Sequence, residues 1–194
     1  MIFALAAAAT MSLLDVDTKF LLTYLPRSDY AAMDLLVSPD GVVLECNLVA
    51  PKLESEPAAK LCAKAIGVRA IAEPPIGPDG NTTHGFVTAA IFRRPSSQTG
   101  PTNLPAPHFA IEFEVNRLPN GAETVRHNVT GYVDEAGILT HCQKATRPGT
   151  APVDSPACRL ATGMSLGSKR GSDGIAVGYM ISFPVIFMTK AKQP

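Results

Sequence analysis

Tryptophan is absent from this chain, and the three large aromatic residue types together make only 6% of its 194 residues. Aromatic rings supply the largest apolar surfaces a core can bury. Their scarcity excludes an interior built on big rings and points to small cores. Charge is scarce as well, at 18%, and is balanced at seventeen residues of each sign. A balanced chain lacks the basic excess that neutralises phosphates, so no nucleic-acid partner is expected. There is no polybasic stretch to hold an anionic membrane surface either. The four histidines, His84, His108, His127 and His141, form neither H-x-x-x-H nor H-E-x-x-H, the spacings that place two ligands on one helix face. No paired acids stand near a strand end in a pattern suited to acid–base work. The expectation is therefore no metal, no cofactor and no catalytic set.

What the chain does have is punctuation and cysteine. Seventeen prolines and fifteen glycines break a sequence that is 46% hydrophobic, the composition of a loop-rich globular protein. The four cysteines fall in a repeated unit. Its first copy runs from Ser38 to Cys62, SPDGVVLECNLVAPKLESEPAAKLC, and its second from Asp134 to Cys158, DEAGILTHCQKATRPGTAPVDSPAC. The turn glycines Gly41 and Gly137 stand ninety-six residues apart (137 − 41), and Cys46–Cys62 repeats the sixteen-residue spacing of Cys142–Cys158. Val37 matches Val133, and Val42-Val43 matches Ile138-Leu139. The pattern reads as a tandem duplication.

Local chemistry gives each copy a plan. Ala32 to Val37 and Val42 to Val49 are two strands joined by Ser38-Pro39-Asp40-Gly41, a turn signal. In the second strand Val42, Leu44, Cys46 and Leu48 share one face by the two-residue period. Ser55-Glu56-Pro57 starts a helix, on which Ala58, Leu61, Cys62, Ala65 and Ile66 form one apolar stripe before Gly67 ends it. Both cysteines then face one core. An even count with matched spacing reads as one disulfide in each copy, if the chain reaches an oxidising compartment. Free buried thiols are the alternative. A four-cysteine zinc site fits less well, because neither pair has the close C-x2-4-C spacing.

The fold expected is α+β: two tandem small units, each an antiparallel sheet with one helix packed on a face and one internal disulfide. Residues 1–15 hold an alanine-rich apolar run, Ile2 to Thr10, with Ala7-Ala8-Ala9 as a small-residue cleavage site but no preceding basic residue. We read it as a signal remnant, too short for a stable membrane span. Unit 1 covers residues 16–94 and closes with a strand from Phe86 to Phe92. Residues 95–107 form a Pro/Ser/Thr-rich linker. Unit 2 covers residues 108–194. It opens with a hairpin, Phe109 to Val115 returning through Leu118-Pro119-Asn120-Gly121 into Val125 to Val133. Asp154-Ser155-Pro156 then starts a helix through Ala161. Ile175 to Met188 forms the last strand or strand pair, with Pro184 marking a break or an edge.

Three motifs invite an enzymatic or modified-protein reading. Gly163-Met164-Ser165-Leu166-Gly167 satisfies G-x-S-x-G, but it follows a helix, and no histidine follows Ser165 to complete the order Ser, acid, His. Gly167-Ser168-Lys169-Arg170-Gly171 resembles a phosphate loop in neither order nor context and reads as a basic solvent loop. Asn81-Thr82-Thr83 and Asn128-Val129-Thr130 fit the glycosylation sequon and are read as chance.

On Asp40-Gly41, Cys46, Cys62 and Pro78-Asp79-Gly80, with Gly137, Cys142, Asp154-Ser155-Pro156, Cys158, Asp173-Gly174 and the closing Phe183 to Phe187 in the second copy, the chain resembles the C-terminal domain of TonB-type energy transducers. It looks most like their cysteine-containing periplasmic versions, in two copies over roughly residues 30–190. The resemblance implies an exported, non-catalytic protein-binding module of the periplasm or a secreted one. Its exposed strand edge would take a segment of an outer-membrane transporter or another envelope partner by strand addition, in service of transmembrane transport. The chain lacks a convincing membrane helix and a long Pro/Lys-rich span, so energy transduction itself is not expected. The alternatives are a small serine hydrolase using Ser165 and a structural envelope protein whose edges self-associate as a homodimer.

Overall fold

A computed structural model describes residues 30–50, 55–70, 74–92, 110–144 and 155–189. The apolar start at 1–15, the linker at 95–107, His108 and Asp154 lie outside the described residues.

The first half runs β1 (Tyr30–Val37), β2 (Val43–Ala50), α1 (Ser55–Ala65) and β3 (His84–Phe92). Alternation along β1 sends Met33, Leu35 and Val37 to one face. There they meet Leu61 and Ala65 of α1, with Val43, Ala70 and Ala89. Leu61, Cys62 and Ala65 are buried as the stripe requires. Ile66 lies one residue past the helix end and is 51% exposed, because Gly67 turns the chain at φ +83°.

The second half runs β4 (Ile111–Val115), a 3-10 turn (Pro119–Gly121), β5 (Thr124–Val133), β6 (Leu139–Lys144), α2 (Pro156–Ala161), β7 (Lys169–Arg170), β8 (Ala176–Val177) and β9 (Tyr179–Thr189). Ser155 caps α2, its hydroxyl accepting from the Ala157 N–H at 3.2 Å, with Pro156 in the first turn where a missing N–H costs nothing.

The backbone of the two halves follows one pattern. Gly41 N–H donates to Ser38 O, and Gly137 N–H to Asp134 O; Val43 N–H donates to Val68 O, and Leu139 N–H to Met164 O; Ala70 N–H donates to Gly41 O, and Leu166 N–H to Gly137 O. Each pair is offset by ninety-six residues (137 − 41). From the next turn on the offset becomes ninety-four (171 − 77): Gly77 N–H donates to Asn81 O, and Gly171 N–H to Ile175 O.

The fold is α+β, and apart from the short β7–β8 pair the described strands join in one seven-stranded mixed sheet, rather than a separate antiparallel sheet in each half. The path is β2-β1-β3-β9-β5-β6, with β4 also on β9. The halves meet where β3 and β9 pair in parallel, His84 with Tyr179, Gly85 with Met180 and Phe86 with Ile181. Each of these strands would otherwise end a three-strand set with unpaired backbone groups. Side-by-side residues share a face, so Phe86 joins the core of the second half, with Tyr179, Ile181 and Phe183. Val87 and Ala89 point the other way, toward α1. The two helices therefore cover opposite faces of the sheet.

The hairpin expected between β4 and β5 does not form. β4 pairs with β9 in parallel, Ile111 with Val185 through Val115 with Thr189, while β5 takes the other edge of β9. The burial patterns give the reason. β9 is buried on both faces over most of its length, whereas β4 alternates buried and exposed. A strand that is apolar on both faces belongs in the middle of a sheet. Pro184 does not break β9 either. It is fully buried, opposite Asn128, at the point where the neighbour on the other edge changes from β3 to β4.

Tyr179 anchors the second half at this seam. It is 1% exposed, and its hydroxyl donates to Gly167 O at 2.9 Å. Burial, helped by the Glu45 carboxylate, pushes its pKa up to about 12. Unfolded tyrosines titrate near 10, so the folded state holds this proton more tightly. Its contribution is complete below about pH 10 and is lost as pH climbs toward 12. Urea melts across that window should lose roughly 1–2 kcal/mol, a figure discounted for solvent near the hydroxyl. Tyr179→Phe should flatten that part of the profile; an unchanged slope would contradict the assignment.

Candidate functional site

Both predicted bridges are present. Cys46–Cys62 spans 5.3 Å between Cα atoms and Cys142–Cys158 spans 5.2 Å. Each ties a strand at one end of the sheet path to the helix packed on it, so β2 and β6 are held in place from their faces. Gly41 and Gly137 make the preceding turns at φ +81° and +83°, a region that favours glycine.

Among the described residues, β2 and β6 end the strand path. Among the described residues, only the first residue of each is taken up on its outer side, by the segment after the helix: Val43 by Gly67 and Val68, Leu139 by Gly163 and Met164. From Thr140 to Lys144 the strand has residues both exposed and half-buried. Such an edge presents backbone donors and acceptors to any extended chain that approaches it.

The Ser165 reading meets a different geometry. Ser165 is exposed and forms a β-bridge with Ile138, while Gly163 and Gly167 take φ +89° and +87°. The five-residue motif is an edge segment pinned to β6, not a strand-to-helix elbow, and the first half uses Gly67 and Arg69 for the same bonds. His127 and His141 are on opposite faces of the sheet. His127 packs edge-on to Phe187 at 5.8 Å, whereas His141 stands beside Tyr132 at 6.3 Å. His84 is half-buried; burial lowers its pKa, and Asp173 partly opposes that. Among the described residues no cluster of His, Cys, Asp and Glu could hold a metal ion, and no helix is long and apolar enough to cross a membrane.

Lys169 was expected in a solvent loop. It instead reaches from β7 across the seam to the first half, where its ammonium lies 3.2 Å from Glu45 Oε1 and 4.6 Å over the Phe86 ring. On the other side of the seam is a shallow hollow of about 230 Å³. It is lined by the Pro78-Asp79 turn, Thr82, Thr83, Tyr132 and His141. The Asp79 carboxylate accepts from the Asn81 side chain at 2.8 Å and its N–H at 3.0 Å, bonds that lower its pKa. Tyr132 is pushed up, first by burial and then by Glu135, Asp79 and Asp134, so the hollow sits in a negative field. The sequence singled out Pro78-Asp79-Gly80, Thr82, Thr83 and His141 for separate reasons, but nothing in it brought them together or pointed to Tyr132. The repeated turns Gly77-Pro78-Asp79-Gly80 and Gly171-Ser172-Asp173-Gly174 were the available signal.

No protein-family model, no curated protein and no solved structure matches the chain.

Proposed function

We propose that the chain is an exported, non-catalytic binding module that takes an extended segment of an envelope or outer-membrane partner onto an open sheet edge. On this reading it consists of two tandem copies of one strand–strand–helix–strand unit, similar to TonB C-terminal domains, and works in the periplasm or outside the cell. The observation that carries it is the end of the strand path. β2 and β6 are edge strands that disulfides hold rigid, and a rigid edge loses little freedom when a partner strand adds to it. The recurring hydrogen bonds of the two halves support the duplication, and two bridges in a chain of this size fit an oxidising compartment. Self-association through the same edges is the competing use of the same surface.

The test is a titration of the isotope-labelled chain with short extended peptides from the periplasmic termini of outer-membrane transporters. Binding should shift and protect from exchange the outward amides of β2 or β6, at protein concentrations where sedimentation gives a monomer. Shifts confined to helices and loops, or concentration-dependent edge shifts without peptide, would sink the reading.

A further inference from the structure

The two sides of the seam are equivalent in backbone and different in filling. Glu45 corresponds to His141 and Leu36 to Tyr132 at the ninety-six-residue offset (141 − 45), and Phe86 to Met180 at ninety-four (180 − 86). The residue equivalent to Lys169 is Pro75. Thr83 N–H donates to Pro75 O at 2.9 Å, just as Val177 pairs with Lys169. On the first half, then, a lysine from the opposite turn fills the space over the sheet, held by a carboxylate and a ring. On the second half proline stands at that position, and its side chain is buried. The hollow beside Tyr132 and His141 lies on this side, lined by the turn that follows Pro75.

We propose that this hollow receives a lysine side chain from the partner strand, which pairs with the outer edge of β6. The proposal rests on the strand-addition reading above and names its edge and its partner chemistry. His141 belongs both to the hollow and to β6, so a strand laid on that edge brings its side chains to the hollow's rim. A primary ammonium suits the lining: the Tyr132 ring offers a π face, Asp79 a carboxylate, and Thr82 and Thr83 hydroxyl acceptors. Asp134 and Glu135 add negative potential next to Tyr132. The Lys169–Glu45–Phe86 contact is the chain's own version of the complex. It shows that this backbone frame accommodates a lysine.

The probe is an acetylated, amidated pentapeptide, Thr-Val-Lys-Val-Thr, with norleucine or glutamate at its centre as comparators. Each is titrated into the full chain by amide chemical shift. The lysine peptide should bind about five- to tenfold tighter than the norleucine peptide, with the largest shifts at Tyr132, His141 and the β6 edge. Asp79→Asn keeps an acceptor for the Asn81 N–H and removes the charge, so it should erase most of that preference while the melting curve, read alongside, shifts only by the one exposed Asn81 side-chain bond it gives up. Equal binding of all three peptides at the β6 edge would overturn the lysine slot and leave strand addition standing. Lysine-selective binding at β2 would overturn the choice of edge. No shift at any sheet edge would overturn both readings.

Discussion

Replacing Gly137 by alanine is expected to cost about 3–5 kcal/mol and to leave a large share of the chain unfolded at ordinary temperature. Gly137 holds φ +83°, where an L side chain is strained by about 1–2 kcal/mol. Space makes it worse. A Cβ there would lie 2.5 Å from Ser168 N and 2.6 Å from Gly167 C, both backbone atoms. Relief requires the 166–168 segment to move away. That breaks the 2.8 Å bond from Leu166 N–H to Gly137 O and pulls Gly167 O from the Tyr179 hydroxyl. Gly163→Ala is the matched control: φ is +89°, yet nothing stands within 4 Å of the added Cβ. It should lose only about 1 kcal/mol. Urea melts of the two variants separate strain from crowding, and equal losses would mean that the close approach at Gly137 does not exist.

The second large effect is expected from the bridges. Each closes a loop of sixteen-residue separation, for which the chain-entropy model gives about 3 kcal/mol. Cys142→Ala with Cys158→Ala should lose that amount or somewhat more, because Cys158 is 4% exposed inside the larger apolar cluster. Cys46→Ala with Cys62→Ala should lose about the same from the smaller cluster beside α1. Reductant should lower the wild-type midpoint by the sum of the two and leave the fourfold variant unaffected. A wild-type melt indifferent to reductant would contradict a structural role for both bridges.

Much of this architecture was legible because its causes are local. Turn glycines, the two-residue period of β1 and β2, the stripe on α1 and the serine cap of α2 each follow from a few adjacent residues. The cysteine spacing was legible for the same reason: a strand and the next helix have little choice of where to meet. Neighbour choice was not. The alternation of Ile111 to Val115 says which side chains point inward but not which strand lies alongside, and Leu118-Pro119-Asn120-Gly121 argued for β5. The answer lay in β9, seventy residues on, whose burial on both faces demanded a partner on each edge. The hollow was hidden for a related reason. It is lined by the turn before β3 in one half and by β5 and β6 in the other, residues far apart in the sequence. Ser165 shows the reverse case: five letters matched a catalytic pattern, and the segment's role is to hold the edge of β6.

The position of β9 in the sheet also has a consequence in time. β3, β4 and β5 all lean on it, and it is the final strand among the described residues. Until it emerges, β3 and β5 each have an edge with no neighbour among the described strands, β4 has none on either edge, and Tyr179 cannot reach Gly167. During synthesis from the amino end the sheet would thus stay incomplete until β9, the last strand among the described residues, had been made. The fold itself delays closure of the sheet, while the two bridges, each joining a strand to the next helix, have all their residues in place before β9 is made.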